Sequence, residues 1–207
     1  MAMESRNPAT GELVERFEEL DAQAVEERLT ASWRAFEAHR ETDLEERAAK
    51  LRKVAGILDA ERARFAALMT EEMGKTITAA AAEAEKCARA CRFYADNGAE
   101  ILADEVIETA ARRSSVRYQP IGPVLAVMPW NFPFWQVIRF AAPALMAGNV
   151  CLLKHASNVP QAAIYLDTLF ERGGFPKGAF HSLLIPASGV ERVLRDPRVK
   201  ATTLTGS

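Results

Sequence analysis

The chain has 207 residues, 49% hydrophobic and 26% charged, enough apolar material for a sizeable core and too much for a disordered chain. A formal net charge of −2 with no block of like charges argues against a nucleic-acid or membrane-surface footprint. Three cysteines and an amino terminus without an apolar segment, MAMESRNPATGE, imply reduced thiols and a cytoplasmic protein.

Asn7-Pro8-Ala9-Thr10-Gly11-Glu12 is a turn cluster before Leu13-Val14 and reads as a small hairpin or edge strand. Asp21 is placed to cap a helix with apolar positions Val25, Leu29, Trp33 and Phe36. Thr42-Asp43-Leu44-Glu45 has capping-box spacing, with Thr42 at the cap position. Leu44, Ala48, Leu51, Ala55 and Leu58 then mark one helical face, and the pattern resumes through Phe65, Leu68 and Met69 to stop near Gly74. An alanine-rich helix is expected from about Thr78 to Asn97, striped by Cys87, Cys91 and Tyr94, with Gly98 placed to end it. Val106 to Gln119 has short β-like pieces around Arg112-Arg113-Ser114 and reads as a hairpin or a long excursion.

From Gly122 onward strands and helices alternate. Val124–Met128 is a short apolar run between Gly122-Pro123 and Pro129, as expected of a strand buried on both faces. Helix Trp135–Ala147, strand Val150–Leu153, helix Pro160–Arg172, a strand near Phe180–Leu184, a helix near Val190–Leu194 and strand Ala201–Leu204 follow. This order predicts an α/β fold with a doubly wound parallel sheet, a Rossmann-like cofactor region over 122–207, incomplete. It is preceded over 1–121 by a helical region with short β hairpins. The region 121–153 is interrupted by prolines and Arg139, so it does not read as a membrane span. The chain stops directly after a β-like run, which implies a piece of a longer protein.

Ligands of such sheets bind beyond the carboxyl ends of the strands. There the sequence places Pro129-Trp130-Asn131, Lys154-His155-Ala156-Ser157, Pro186-Ala187-Ser188-Gly189 and Thr205-Gly206-Ser207. Polar, glycine and hydroxyl residues thus collect on one edge, in the manner of a nucleotide pocket. Trp130 and Asn131 lie in a turn between two prolines, and a rigidly held amide there suits a catalytic donor.

Pro129-Trp130-Asn131-Phe132-Pro133, Leu153-Lys154 and Thr205-Gly206-Ser207 resemble the aldehyde dehydrogenase superfamily in order and approximate spacing. Asn7-Pro8-Ala9-Thr10-Gly11-Glu12 and Glu72-Met73-Gly74-Lys75 match further segments, so the likeness covers nearly the whole chain. PWNFPFWQ, the short amino terminus and KHAS resemble most the bacterial NAD(P)-dependent succinate-semialdehyde dehydrogenase branch.

The resemblance implies a cysteine thiohemiacetal whose oxygen is stabilised by the Asn131 amide, with NADP or NAD as hydride acceptor. Trp130 would lend backbone contacts to the cofactor, and Lys154 would bind the adenosine ribose. His155 and Ala156 would border the same site. Ser157 stands where many NAD-preferring members carry a glutamate; without that carboxylate a 2′-phosphate is not repelled, so NADP is expected to be tolerated or preferred. Gly189 would lie beside the adenine, and Gly206 with Ser207 would open the phosphate turn.

The family's nucleophilic cysteine and basic glutamate would lie beyond Ser207, and Cys151 reads instead as a small core residue. No metal-ligand spacing and no GxGxxG is present. The expected activity is oxidation of a small-molecule aldehyde, succinate semialdehyde, by a homo-oligomeric parent, dimer or tetramer, that needs no membrane or nucleic acid. This chain alone would be inactive. Two alternatives stand beside it: a non-catalytic cofactor-binding or oligomerisation fragment, and an acyl-phosphate reductase of the same superfold.

Overall fold

The computed structural model describes residues 2–206. Strands β1 (Ala2–Arg6) and β2 (Leu13–Glu18) form an antiparallel hairpin around the expected turn cluster. Four helices follow: α1 (Ala22–His39), α2 (Leu44–Ala60), α3 (Arg62–Met73) and α4 (Ile77–Ile101). Asp21 caps α1 as expected, accepting from the Ala24 N–H at 2.8 Å.

The α2 cap differs from expectation. Asp43, not Thr42, accepts from the Glu46 N–H, at 2.7 Å. A carboxylate is the stronger acceptor at a positive helix end. Thr42 is left to tie the corner, donating to the His39 carbonyl at 2.7 Å and accepting from Arg47 Nε at 3.0 Å.

Gly98 does not end α4, which runs on to Ile101. Gly98 is where α4 meets the next core helix: a Cβ there would lie 2.5 Å from the Met146 Cγ. Glycine is needed here for space rather than for its torsion angles. Gly74, by contrast, does terminate α3, with φ of 74° in the left-handed region.

Strands β3 (Glu105–Val106) and β4 (Ser115–Val116) form a short exposed hairpin. The β pieces therefore flank Arg112 and Arg113 rather than containing them.

The second half alternates as predicted: β5 (Pro123–Met128), α5 (Trp135–Met146), β6 (Val150–His155), α6 (Pro160–Arg172), β7 (Phe180–Ser182), a 3₁₀ turn at Ala187–Gly189, α7 (Val190–Leu194) and β8 (Ala201–Leu204). The sheet is parallel, in the order β7-β6-β5-β8. Winding proceeds outward from β5 to β7, then returns to the far side of β5 with β8. The switch of direction thus falls between β5 and β8, where doubly wound sheets open a crevice.

Alternation along the strands explains the two layers. Leu125 and Leu152 face Val25 and Leu29 of α1 and Val193 of α7. Ala126, Cys151 and Leu153 face the larger core, built from α2 through α6 with Ala35 and Phe36 of α1. One core therefore runs from the amino-terminal helices through the sheet. Arg47 adds a polar tie: its buried guanidinium donates to carbonyls at the ends of both α1 and α5, those of His39 and Met146 among them.

Candidate active site and cofactor cleft

Strand β5 ends at Met128 because Pro129 offers no N–H to the ladder. Its neighbours run one step further: the Ala156 N–H donates to the Met128 carbonyl at 3.0 Å and the Thr205 N–H to the Val127 carbonyl at 3.1 Å. The chain bends through Trp130, Asn131 and Phe132, all exposed, before α5 begins. The turn is held from beneath. His155 bonds the Pro133 carbonyl through Nε2 at 2.8 Å, and Glu83 of α4 accepts from the N–H groups of Phe134 and Trp135 at 3.0 and 2.9 Å. The Asn131 side chain makes no hydrogen bond to any described residue and stands at the cleft.

Two hollows meet at this edge of the sheet. The smaller, about 540 Å³, is bounded by Trp130, Asn131, Gln136, Lys154, Ala156, Thr205 and Gly206. The larger, about 900 Å³, includes Ser157, Asn158, Arg6, Glu72, Pro186 and Ala187. Trp130 and Lys154 line both and form the wall between them. Both volumes are in the range of small-molecule and cofactor sites.

Strand β6 is longer than expected, so Lys154 and His155 lie inside it, opposite Val127 and Met128, rather than after it. Ladder bonding to β5 overrides the polarity of the two side chains. Lys154 is only 8% exposed, and its ammonium donates to the His155 carbonyl at 2.8 Å. Burial lowers its pKa. A cation so placed keeps donors for an anionic or hydroxyl-rich ligand in either hollow.

His155 is not at the cleft surface. It is 4% exposed, with Nδ1 accepting from the Ala156 N–H at 2.9 Å, and burial pushes it down to about 4. Its contribution is to the turn behind Asn131. Gly189 lines a neighbouring hollow of about 260 Å³ with Ile185 and Arg192, which shares Pro186 with the larger one; the 3₁₀ turn carries it past Ala187, which lines the larger hollow. Ser207 lies outside the described residues.

Three further groups line the hollows or hold the turn beside them, and they carry no strong sequence signal. Gln136 Oε1 is buried at the smaller hollow without a hydrogen-bond partner among the described residues. Glu83 and Glu72 are buried carboxylates that cap helices other than their own. Glu72, on α3, accepts from the Gln161 and Ala162 N–H groups of α6 at 2.7 and 2.9 Å, and burial pushes it up to about 7. Their visible signal is an acid on an otherwise apolar face, Glu72 beside Met69 and Glu83 between Ala80 and Cys87.

The three cysteines are buried, and burial raises each thiol pKa, that of Cys91 to about 12. None is a poised thiolate. No group of three or more metal-ligating side chains is present among the described residues, and no helix there is long and apolar enough to cross a membrane.

Known proteins are similar to this chain in sequence and in fold. The chain is 54% identical over 210 residues to a Mycobacterium leprae protein named succinate-semialdehyde dehydrogenase, NADP(+), and the match takes in 100% of this chain and 46% of that protein. A Synechocystis protein named as a probable enzyme of the same kind is 53% identical over 207 residues, again 46% of its length. The crystal structure of succinic semialdehyde dehydrogenase from Streptococcus pyogenes in complex with NADP+ superimposes with a TM-score of 0.96 at 36% identity, covering 100% of this chain and 46% of that one. The chain thus spans about half the length of the relatives it matches. The pattern of the Aldehyde dehydrogenase family matches residues 1–207, and the chain belongs to that family.

Proposed function

We propose that this chain forms the NADP-binding wall and the oxyanion donor of an enzyme that oxidises succinate semialdehyde to the acid. The observation that carries this reading is the shared wall of Trp130 and Lys154, with Asn131 and Gly206 on one side and Ser157 on the other. The donor set fits a phosphorylated dinucleotide. Lys154 brings an ammonium to the junction, and Ser157 is a hydroxyl where a carboxylate would repel a 2′-phosphate. The relatives named for succinate semialdehyde and NADP(+) support the same choice of substrate and cofactor.

When bound, NADP would accept the hydride. Trp130 and Lys154 would orient it across the two hollows, and Pro186 with Ala187 would border the adenosine side. Asn131 would donate from its amide to the aldehyde oxygen as negative charge builds there. Removal of one such donor typically costs about 2.7–4 kcal/mol of transition-state stabilisation. The nucleophilic thiol is not supplied by Cys87, Cys91 or Cys151, all of them buried. Fluorescence titration of the chain with NADPH tests the cofactor half of the reading. Saturable binding that weakens at least about tenfold in Lys154→Met is expected; binding indifferent to that change would refute it.

A second reading draws on a different observation. The β3–β4 hairpin and its flanks expose Val106, Ile107, Val116, Tyr118 and Ile121, a run of apolar side chains suited to an assembly contact. Sedimentation of the chain and of Val116→Lys tests this: self-association lost in the variant supports it, and a monomer in both cases refutes it.

A further inference from the structure

The turn that carries Asn131 has little of its own to hold it. Helix α5 has no side-chain cap from its own N-cap residue, Phe134, and Trp130, Asn131 and Phe132 are exposed. Besides His155 at the Pro133 carbonyl, the turn is held by the corner between α3 and α4. Gly74 ends α3 in the left-handed region and so turns Lys75 back over the start of α4. Lys75 pairs there with Glu83, whose side chain is 1% exposed. The Lys75 ammonium also donates to the Asn131 carbonyl at 3.1 Å and sits 3.6 Å from the centre of the Phe132 ring. Glu83 uses Oε1 for the two α5 N–H groups and Oε2 for Lys75.

We infer that Lys75 and Glu83 are positioning residues for Asn131. This rests on the reading of Asn131 as the oxyanion donor. Neither side chain lines the two hollows at the sheet edge, so each acts through the turn. Capping α5 requires Glu83 alone. Lys75 reaches past the cap to the Asn131 backbone, which helix capping does not require. A hold on that carbonyl restrains the backbone from which the Asn131 side chain projects, and a donor held in place needs less reorganisation during reaction. The arrangement has a cost, since either charge would be left buried if its partner were removed. The informative variant therefore neutralises both at once.

The test is Lys75→Met/Glu83→Gln, which preserves approximate volume; the glutamine oxygen can still accept from both α5 N–H groups, as Glu83 Oε1 does. In nitrogen-15 spectra of the chain, the Asn131 side-chain amide should give one sharp pair of signals in the parent and broadened or multiple signals in the double variant. Signals far from the turn should be unchanged, and NADPH affinity should stay within about twofold. Lys75→Arg alone, which retains the charge, should keep most of the sharpness. An Asn131 amide that is indifferent to the double variant, or that changes only together with signals throughout the chain, overturns the inference. This readout needs no turnover. In the assay of the protein that carries this chain, kcat should fall about tenfold in the double variant with KM for NADP nearly constant. Asn131→Ala separates the two claims. If it leaves kcat unaltered, the oxyanion reading fails; if it lowers kcat about a hundredfold while the double variant does not, only the positioning role fails.

Discussion

The ring of His155, at the end of β6, donates from Nε2 to the carbonyl of Pro133 at 2.8 Å, in the turn that leaves β5. Because Nδ1 accepts from the Ala156 N–H, the ring must be neutral, with its single proton on Nε2. One strand end thus depends on a proton held by its neighbour.

That dependence sets an acid limit. Burial pushes both His155 and His39 down to about 4, below the ordinary value near 6.5. The folded state therefore binds fewer protons than the unfolded one. The stabilisation is present above about pH 6.5 and is lost as pH falls from there toward 4, up to roughly 3 kcal/mol for each ring. His155→Gln keeps a donor for Pro133 but cannot titrate. Urea melts between pH 4.5 and 7 should show a shallower decline in this variant than in the parent; an identical slope would exclude His155 as a source of acid sensitivity.

Gly98 gives a prediction opposite in sign to helix propensity. Alanine in mid-helix ordinarily gains about 1 kcal/mol over glycine. Here a methyl group would sit 2.5 Å from Met146 Cγ and 2.7 Å from its Cε, in a side chain that is itself buried. Gly98→Ala should therefore lower stability by about 1–3 kcal/mol, read by thermal melting. A gain in Tm would show that Met146 yields at no cost.

Ser157 is the position from which cofactor choice is expected to be changed. Ser157→Glu places a carboxylate in the hollow beside Lys154. NADPH affinity should fall about tenfold or more, while NADH is held as well or better. Paired titrations with the two cofactors check this. Equal losses for both would mean that Ser157 lies away from the 2′ position.

How much of the molecule is legible in the residues follows from how local each signal is. Helix Pro160–Arg172 is readable because Pro160 can open a helix and Gly173-Gly174 closes it, all within the chain segment itself. The alternation after Gly122 likewise points to the parallel sheet, and the turn signals locate Asn131 and Trp130 at its edge. Local pattern misplaces Gly98 because its reason for being glycine is Met146, far along the chain and on another helix. It misplaces the α2 cap because Thr42 and Asp43 are both acceptable and stand side by side, so that only the folded corner decides between them. His155 has the sequence context of a ligand-facing residue, but β6 is long enough to bury it. Glu72 and Glu83 have their partners on other helices, so nothing in their own segments reveals the α6 and α5 starts that they hold.

A crystal structure of the chain with NADPH would locate the dinucleotide. The cofactor should cross the wall of Trp130 and Lys154, with its 2′-phosphate beside Lys154 and Ser157 and its nicotinamide end in the hollow with Asn131 and Gly206. NADPH bound on another face of the molecule, or crystals whose cleft stays empty at saturating NADPH, would contradict it.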